Sequence, residues 1–311
     1  MSEKTNLANI IVKKLEEDKG IIGIKFINDE CGAAPPTGAL IAVEGIDGAG
    51  LSTYSEILAW VLKKLAKKGS PGQDAFYTKE PTLSSIGFLT WQAMKGGPSE
   101  VLKIPHIMAL LFAADRQYHL HVDPLNNYCD GILNCLKMPI AVVTDRYKYS
   151  SIAYQSQPLK VGREYYPGVD REWLWIINAY APPPHILIYL SVDIDTALER
   201  IYGERWTIQL YEAKDFLELV QEEFKKIVKR LEDNPELDRT KRIEDQAKDM
   251  TKLWLKYKLV DPCIYPWQGG RYPLIIEHDS TNTNIIDSLY SVTVTVLSML
   301  EGSGIISLVT K

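Results

Sequence analysis

The sequence predicts an α/β fold in which a parallel sheet is wound on both faces by helices. Three observations lead there. Short apolar runs at 40–43, 75–78, 140–144, 186–192 and 274–276 alternate with longer segments of helical character. The first run passes into a glycine loop and then an amphipathic segment. Polar clusters follow the runs, at the carboxyl ends of the strands, where such a sheet gathers its ligands.

Taken in order, Leu7, Ile10, Ile11 and Leu15 have helical spacing, and Ile21 to Ile27 reads as a strand after the Asp18-Lys19-Gly20 turn. Ala33 to Gly38 is a connector, so residues 1–37 form an N-terminal appendage to a domain spanning 38–311. Leu40 to Val43 is bounded by turn residues, as a buried parallel strand is. After it come Gly45, Gly48, Ala49 and Gly50, and then Ser52 and Thr53 open a helix through Ile57, Trp60, Val61 and Leu65. The phosphate-loop pattern G-x-x-x-x-G-K-[ST] is met at Gly45, Gly50 and Ser52, but Leu51 stands where it requires lysine. Glycines let backbone N–H groups turn inward and the helix N-terminus adds positive charge, which favours a polyphosphate. The stretch by itself also fits a glycine turn without a ligand.

Ala75 to Thr78 is the second strand of the sheet, running into Lys79-Glu80-Pro81, with helices expected over 85–95 and 105–120. Ile140 to Thr144 leads into Asp145-Arg146-Tyr147. Ile186 to Val192 precedes a helix through Ala197 to Ile201, capped by Asp193 or Asp195. Leu274 to Ile276 is the fifth strand, and a closing helix covers about 284–300. The stretch 232–272 is dense in charge and then aromatic and proline-rich. It reads as an insertion, either solvated or a subunit contact.

A net charge of −5 argues against a general nucleic-acid binder, so any phosphate must be held by local arginines and loop amides. Cys31, Cys129, Cys135 and Cys263 lack metal-ligand spacing and suggest a reduced interior, as core or surface residues. No apolar run reaches spanning length and the start lacks a signal-peptide core, so no membrane partner and a cytoplasmic location are expected.

Two constellations carry chemistry. In LLFAADRQYH, Arg116 sits late in a helix and taken alone reads as a surface salt-bridge partner. In VVTDRYKYSSIAYQ, Asp145-Arg146 ends a buried strand. A carboxylate there suits the water shell of Mg²⁺ and an arginine suits a phosphate, though a structural ion pair fits equally.

EGIDGAG, the KEP turn, LLFAADR, TDRYKYSSIAYQ and IYLSVDIDTALER stand in the same order and similar spacing as in thymidylate kinases, which the chain resembles over about 40–224 and again over 274–300. The resemblance implies a P-loop NTPase three-layer fold with a five-stranded parallel sheet and a helical lid. It implies a kinase moving the γ-phosphate of ATP to dTMP with Mg²⁺, working as a homodimer, with the helices at 85–95 and 105–120 as contact surfaces. On individual residues it implies that Asp47 meets the sugar 3′-hydroxyl and that Lys79 lies near the acceptor phosphate. Phe112 would stack on the base and Arg116 contact its carbonyl edge. Arg146 would take the acceptor phosphate, with Asp145 and Ser52 towards the metal. Ser150, Ser151, Tyr154 and Gln155 would wall the base. Arg200 and Arg205 fall in the lid, which in relatives with a small residue like Ala49 supplies the catalytic arginine.

Leu51 departs from this pattern. An apolar side chain stands where an ammonium should bridge the donor oxygens, and losing such a donor typically costs on the order of 10²–10³ in rate. Arg200, Arg205, Lys148 and Lys79 are the candidates to fill the charge. Besides the active kinase, two alternatives stay open: a catalytically silent relative that binds nucleotide or partners, and a kinase for another pyrimidine monophosphate such as dUMP.

Overall fold

Five parallel strands form the central sheet, in the order 274–279, 186–191, 39–45, 140–145, 74–79. The computed structural model describes residues 3–27, 38–95, 104–125, 129–161, 164–204, 214–238, 271–281 and 284–311. The strands are β2 (Ala39–Gly45), β3 (Asp74–Lys79), β4 (Ile140–Asp145), β5 (Ile186–Ser191) and β6 (Leu274–Asp279). Every residue of β2 and β4 is buried, which is why both read as unbroken apolar runs rather than alternating ones.

The helices α2 (Leu51–Gly69), α3 (Ser85–Met94), α4 (Pro105–His121), α7 (Ile194–Glu204) and α9 (Ile285–Gly302) fall where the apolar spacing places them, and α5 (Lys148–Gln155), α6 (Arg171–Ile177) and α8 (Lys214–Asp233) are helices the sequence reading did not single out. Ile57, Leu58, Val61, Leu62 and Leu65 of α2 are all buried, each stabilising by about 1.5–3 kcal/mol. Asp193 is the residue that caps α7, accepting from Thr196 N at 3.0 Å.

The N-terminal stretch folds as α1 (Glu3–Lys19) and β1 (Ile21–Phe26). Strand β1 pairs antiparallel with the closing strand β7 (Ile306–Thr310), and α1 lies on α2 and α9. The approach is close: a Cβ on Gly69 would stand 1.8 Å from Ile24 O, so only glycine fits at the end of α2.

Two expectations are corrected. Cys129 and Cys135 form a disulfide across 5.4 Å between Cα atoms, because the short ladder Pro124–Leu125/Cys129–Asp130 and the turn Ile132–Cys135 bring them together. Cys31 and Cys263 lie outside the described residues. Helix α9 does reach the length and mean hydropathy (1.2) of a membrane span, contrary to the reading that no run does. Leu289, Val292, Val296, Leu297 and Leu300 bury its apolar side within the fold, as in a core helix. Of the charged insertion, Leu237–Asp238 pairs with Arg271–Tyr272, and 239–270 lie outside the described residues.

Candidate active site

The register of the sheet sets the site. Val43 on β2 stands opposite Asp145 on β4, and Lys79 on β3 stands opposite Asp145 from the other side. The glycine loop, the Asp-Arg pair and the KEP turn therefore leave the sheet together, at its carboxyl end.

Gly48 takes φ 81° and Gly50 φ 91°, values that L side chains rarely adopt, and a Cβ on Gly48 would meet Ala197 O at 2.4 Å. The loop is thus wrapped tightly under α7. Gly50 starts α2 without any side-chain cap, leaving the helix N-terminus to a ligand. A cavity of about 450 Å³ opens over it, lined by 46–54 (hence Gly48, Ala49, Gly50, Leu51, Ser52 and Thr53) with Asp145, Arg146, Arg200, Ile201, Ser280 and Ile285. That size suits a small-molecule ligand. Leu51 is only 6% exposed and packs into the core, its Cδ2 facing Gly45.

Ser52 Oγ donates to Asp145 Oδ2 at 2.5 Å. Burial raises the Asp145 pKa, opposed by the Arg146 charge and the Ser52 hydrogen bond. Arg200 reaches back over the loop, donating to Gly48 O at 3.1 Å, Ser280 O at 2.7 Å and Thr281 O at 2.8 Å. It thereby ties α7 to both walls of the cavity.

A second cavity adjoins the first, lined by Asp47, Glu80, Pro81, Met94, Phe112, Arg116, Arg146, Tyr147, Ser150, Ser151, Tyr154 and Gln155. Asp47 and Arg146 belong to both. Arg146 holds φ 70°, rare for a non-glycine residue, and the fold fixes it there: its N–H donates to Val43 O at 3.0 Å and its carbonyl accepts from Thr144 Oγ1 at 2.8 Å. That backbone turn aims the guanidinium at Gly45 O (3.1 Å), Ser150 Oγ (3.0 Å) and Asp47 Oδ1 (2.9 Å). Tyr154 Oη donates to the other Asp47 oxygen at 2.9 Å, and the Tyr154 ring lies 5.1 Å from the guanidinium carbon.

Arg116 is not at the surface. It is 1% exposed, paired with Glu80 at 2.7 Å, and it donates to Ser151 Oγ at 3.0 Å, Tyr147 O at 3.2 Å and Asn178 Oδ1. A buried guanidinium needs such partners, and Glu80 supplies the countercharge. Gln155 Oε1 is a buried acceptor with no hydrogen-bond partner among the described residues.

Some expected residues do not join this arrangement. Lys79 is exposed and is not among the residues described as lining either cavity. Lys148 is buried and turned to Glu236 at 2.7 Å, which removes it as a substitute for the missing lysine. Arg205 lies outside the described residues. The structure also adds residues that sequence reasoning passed over. Glu44, fully buried, accepts from Tyr147 N (2.9 Å), Ser150 N (3.0 Å) and Ser150 Oγ, holding the start of α5 against the loop. Burial pushes its pKa up to about 7. A carboxylate ending an apolar run was the available signal.

Loop, sheet and paired cavities define a P-loop nucleotide-binding protein with a second site beside the phosphate loop. The thymidylate kinase profile matches residues 43–249. The chain is 33% identical over 219 residues to the "Probable thymidylate kinase" of Thermococcus onnurineus, covering 68% of this chain and 95% of that one. It is 40% identical over 184 residues to that of Methanocaldococcus jannaschii, covering 59% and 78%. The solved thymidylate kinase of Candida albicans shares the fold at a TM-score of 0.53 and 20% identity, over 88% of this chain and 96% of that one. The chain belongs to the thymidylate kinase family.

Proposed function

We propose that the chain transfers the γ-phosphate of ATP to dTMP, giving dTDP and ADP. The observation that carries this reading is the single guanidinium of Arg146, shared by the phosphate-loop cavity and the second cavity and steadied by Asp47. In-line phosphoryl transfer needs two phosphates brought together and their charge neutralised, with little covalent help. A fixed cation between two pockets meets that need.

The donor occupies the larger cavity, with its phosphates on the loop amides and the start of α2. Arg200 closes the cavity from α7 and adds positive charge where Leu51 supplies none. The acceptor occupies the second cavity, its base against Phe112 and Met94 and its phosphate towards Arg146. The unpartnered Gln155 Oε1 accepts from a base N–H, which a thymine or uracil ring offers. Asp47 is the acceptor for a sugar hydroxyl.

Mg²⁺ fits this site. Ser52 and the buried Asp145 offer hard oxygen donors beside the loop, enough for a cation that one or two protein groups and the substrate phosphates would hold together. When bound, it would screen the charge of the donor phosphates.

The reading extends to a homodimer. Phe88, Leu89 and Trp91 on α3 and Leu110 on α4 are 45–55% exposed, an apolar face that a second copy would cover. The test of the activity is ADP formation from Mg-ATP with dTMP, with dUMP and without an acceptor. Turnover is expected with dTMP. Binding of nucleotide without turnover for any acceptor would overturn the reading in favour of a silent binding protein, and a preference for dUMP would move the specificity.

A further inference from the structure

Helix α5 lends Ser150, Ser151, Tyr154 and Gln155 to the second cavity, but its first two residues face the other way. Lys148 is 1% exposed, and its Nζ donates to Glu236 Oε1 at 2.7 Å and Ala181 O at 2.8 Å. Tyr149 Oη donates to the second Glu236 oxygen at 2.6 Å. Glu236, itself 5% exposed, directly precedes the pairing of Leu237–Asp238 with Arg271–Tyr272, at the root of the inserted stretch 232–272.

A second line of contacts runs from the same lysine. Ala181, whose carbonyl it holds, donates its N–H to Asn178 O at 3.0 Å, and the Asn178 side chain accepts from Arg116. Arg116 and Ser151 then meet at 3.0 Å in the cavity wall. Glu236 thus touches the acceptor wall by two routes, one through α5 and one through the 178–182 turn. No phosphate-loop residue is a link in either route, and the bonds of α5 to the loop are made by other residues, Ser150 and Tyr154.

We propose that Lys148 and Glu236 are positioning residues for the acceptor, setting α5 and the 178–182 turn so that Ser151 and Arg116 face the base. The inference rests on the kinase reading and adds to it a connection between the root of the inserted stretch and acceptor affinity. A buried ion pair is weak evidence for stability, since well-packed apolar residues do as well or better there. Its geometry is more restrictive, because one ammonium fixes a carboxylate and a carbonyl from two other segments at once.

The test uses the full chain and measures dissociation constants for dTMP and for Mg-ATP separately, with thermal unfolding alongside. Lys148→Met is expected to weaken dTMP binding at least about fivefold while Mg-ATP binding changes less than about twofold. Lys148→Met combined with Glu236→Leu is expected to recover part of the lost dTMP affinity, because the pair is then removed as a unit and Lys148→Met alone leaves the Glu236 carboxylate without its ammonium. Tyr149→Phe, which keeps the pair and the ring, is expected to weaken dTMP binding by a smaller factor and serves if Lys148→Met does not fold. Equal loss for both ligands, or a lowered melting temperature with both constants unchanged, would make the pair purely structural and overturn the proposal. A wild-type chain that binds Mg-ATP but no monophosphate overturns the kinase reading itself and this proposal with it.

Discussion

At the scale of residues, Arg146 and Leu51 show how far side-chain identity leads. The Asp-Arg pair by itself fitted a structural ion pair equally well and was legible as chemistry only beside the phosphate loop, while the left-handed turn at Arg146 that aims it is a property of backbone contacts to Val43 and Thr144. Leu51 was legible as a departure and not as a packing residue. Its burial makes it part of the core, so Leu51→Ala is expected to cost about 2–4 kcal/mol in denaturant unfolding while kcat changes less than tenfold. A large fall in kcat with unchanged stability would show that the side chain serves the phosphates instead. Glu44 gives a pH signature. Its folded pKa, about 7, lies above the ordinary 4.5, so the folded protein keeps a proton that the unfolded chain has released between those values. The stability from this group is fully present below the unfolded value and is lost as pH rises through the folded one. The melting temperature of Glu44→Gln relative to wild type is therefore expected to rise from about pH 5 to pH 8. A pH-independent difference would contradict the assignment.

At the scale of elements, the parallel strands were legible because burial on both faces leaves continuous apolar runs, and the helices because one face repeats at 3.6 residues. Arg116 was not legible as buried: its countercharge, Glu80, comes from a turn 36 residues away, and only the approach of α4 to that turn pairs them. The strand β7 was missed for a similar reason. Ile305 to Thr310 is apolar enough, but its partner β1 lies at the opposite end of the chain, and no spacing announces an antiparallel pairing across that distance. Because Ile306 is fully buried at that junction, Ile306→Ala is expected to destabilise the fold by about 2–4 kcal/mol in the same unfolding measurement. A change below about 0.5 kcal/mol would mean that the β1–β7 unit contributes nothing to the main core.

At the scale of the whole molecule, Phe88, Leu89 and Trp91 on the exposed side of α3 line neither cavity, so assembly and chemistry can be separated experimentally. Trp91→Glu is expected to convert a dimer to monomer in sedimentation equilibrium with nucleotide binding retained. An unchanged mass would place the subunit contact elsewhere or show a monomer. In the proposed reaction one arginine, Arg146, joins a donor and an acceptor pocket for phosphoryl transfer. That role is tested most directly in a single turnover, following the γ-phosphate of ATP in wild type and in Arg146→Ala. The phosphate is expected to enter dTDP only when dTMP is present, with the rate falling on the order of 10²–10³ in the variant. Label found in inorganic phosphate alone, or ATP left intact beside bound dTMP, would contradict it.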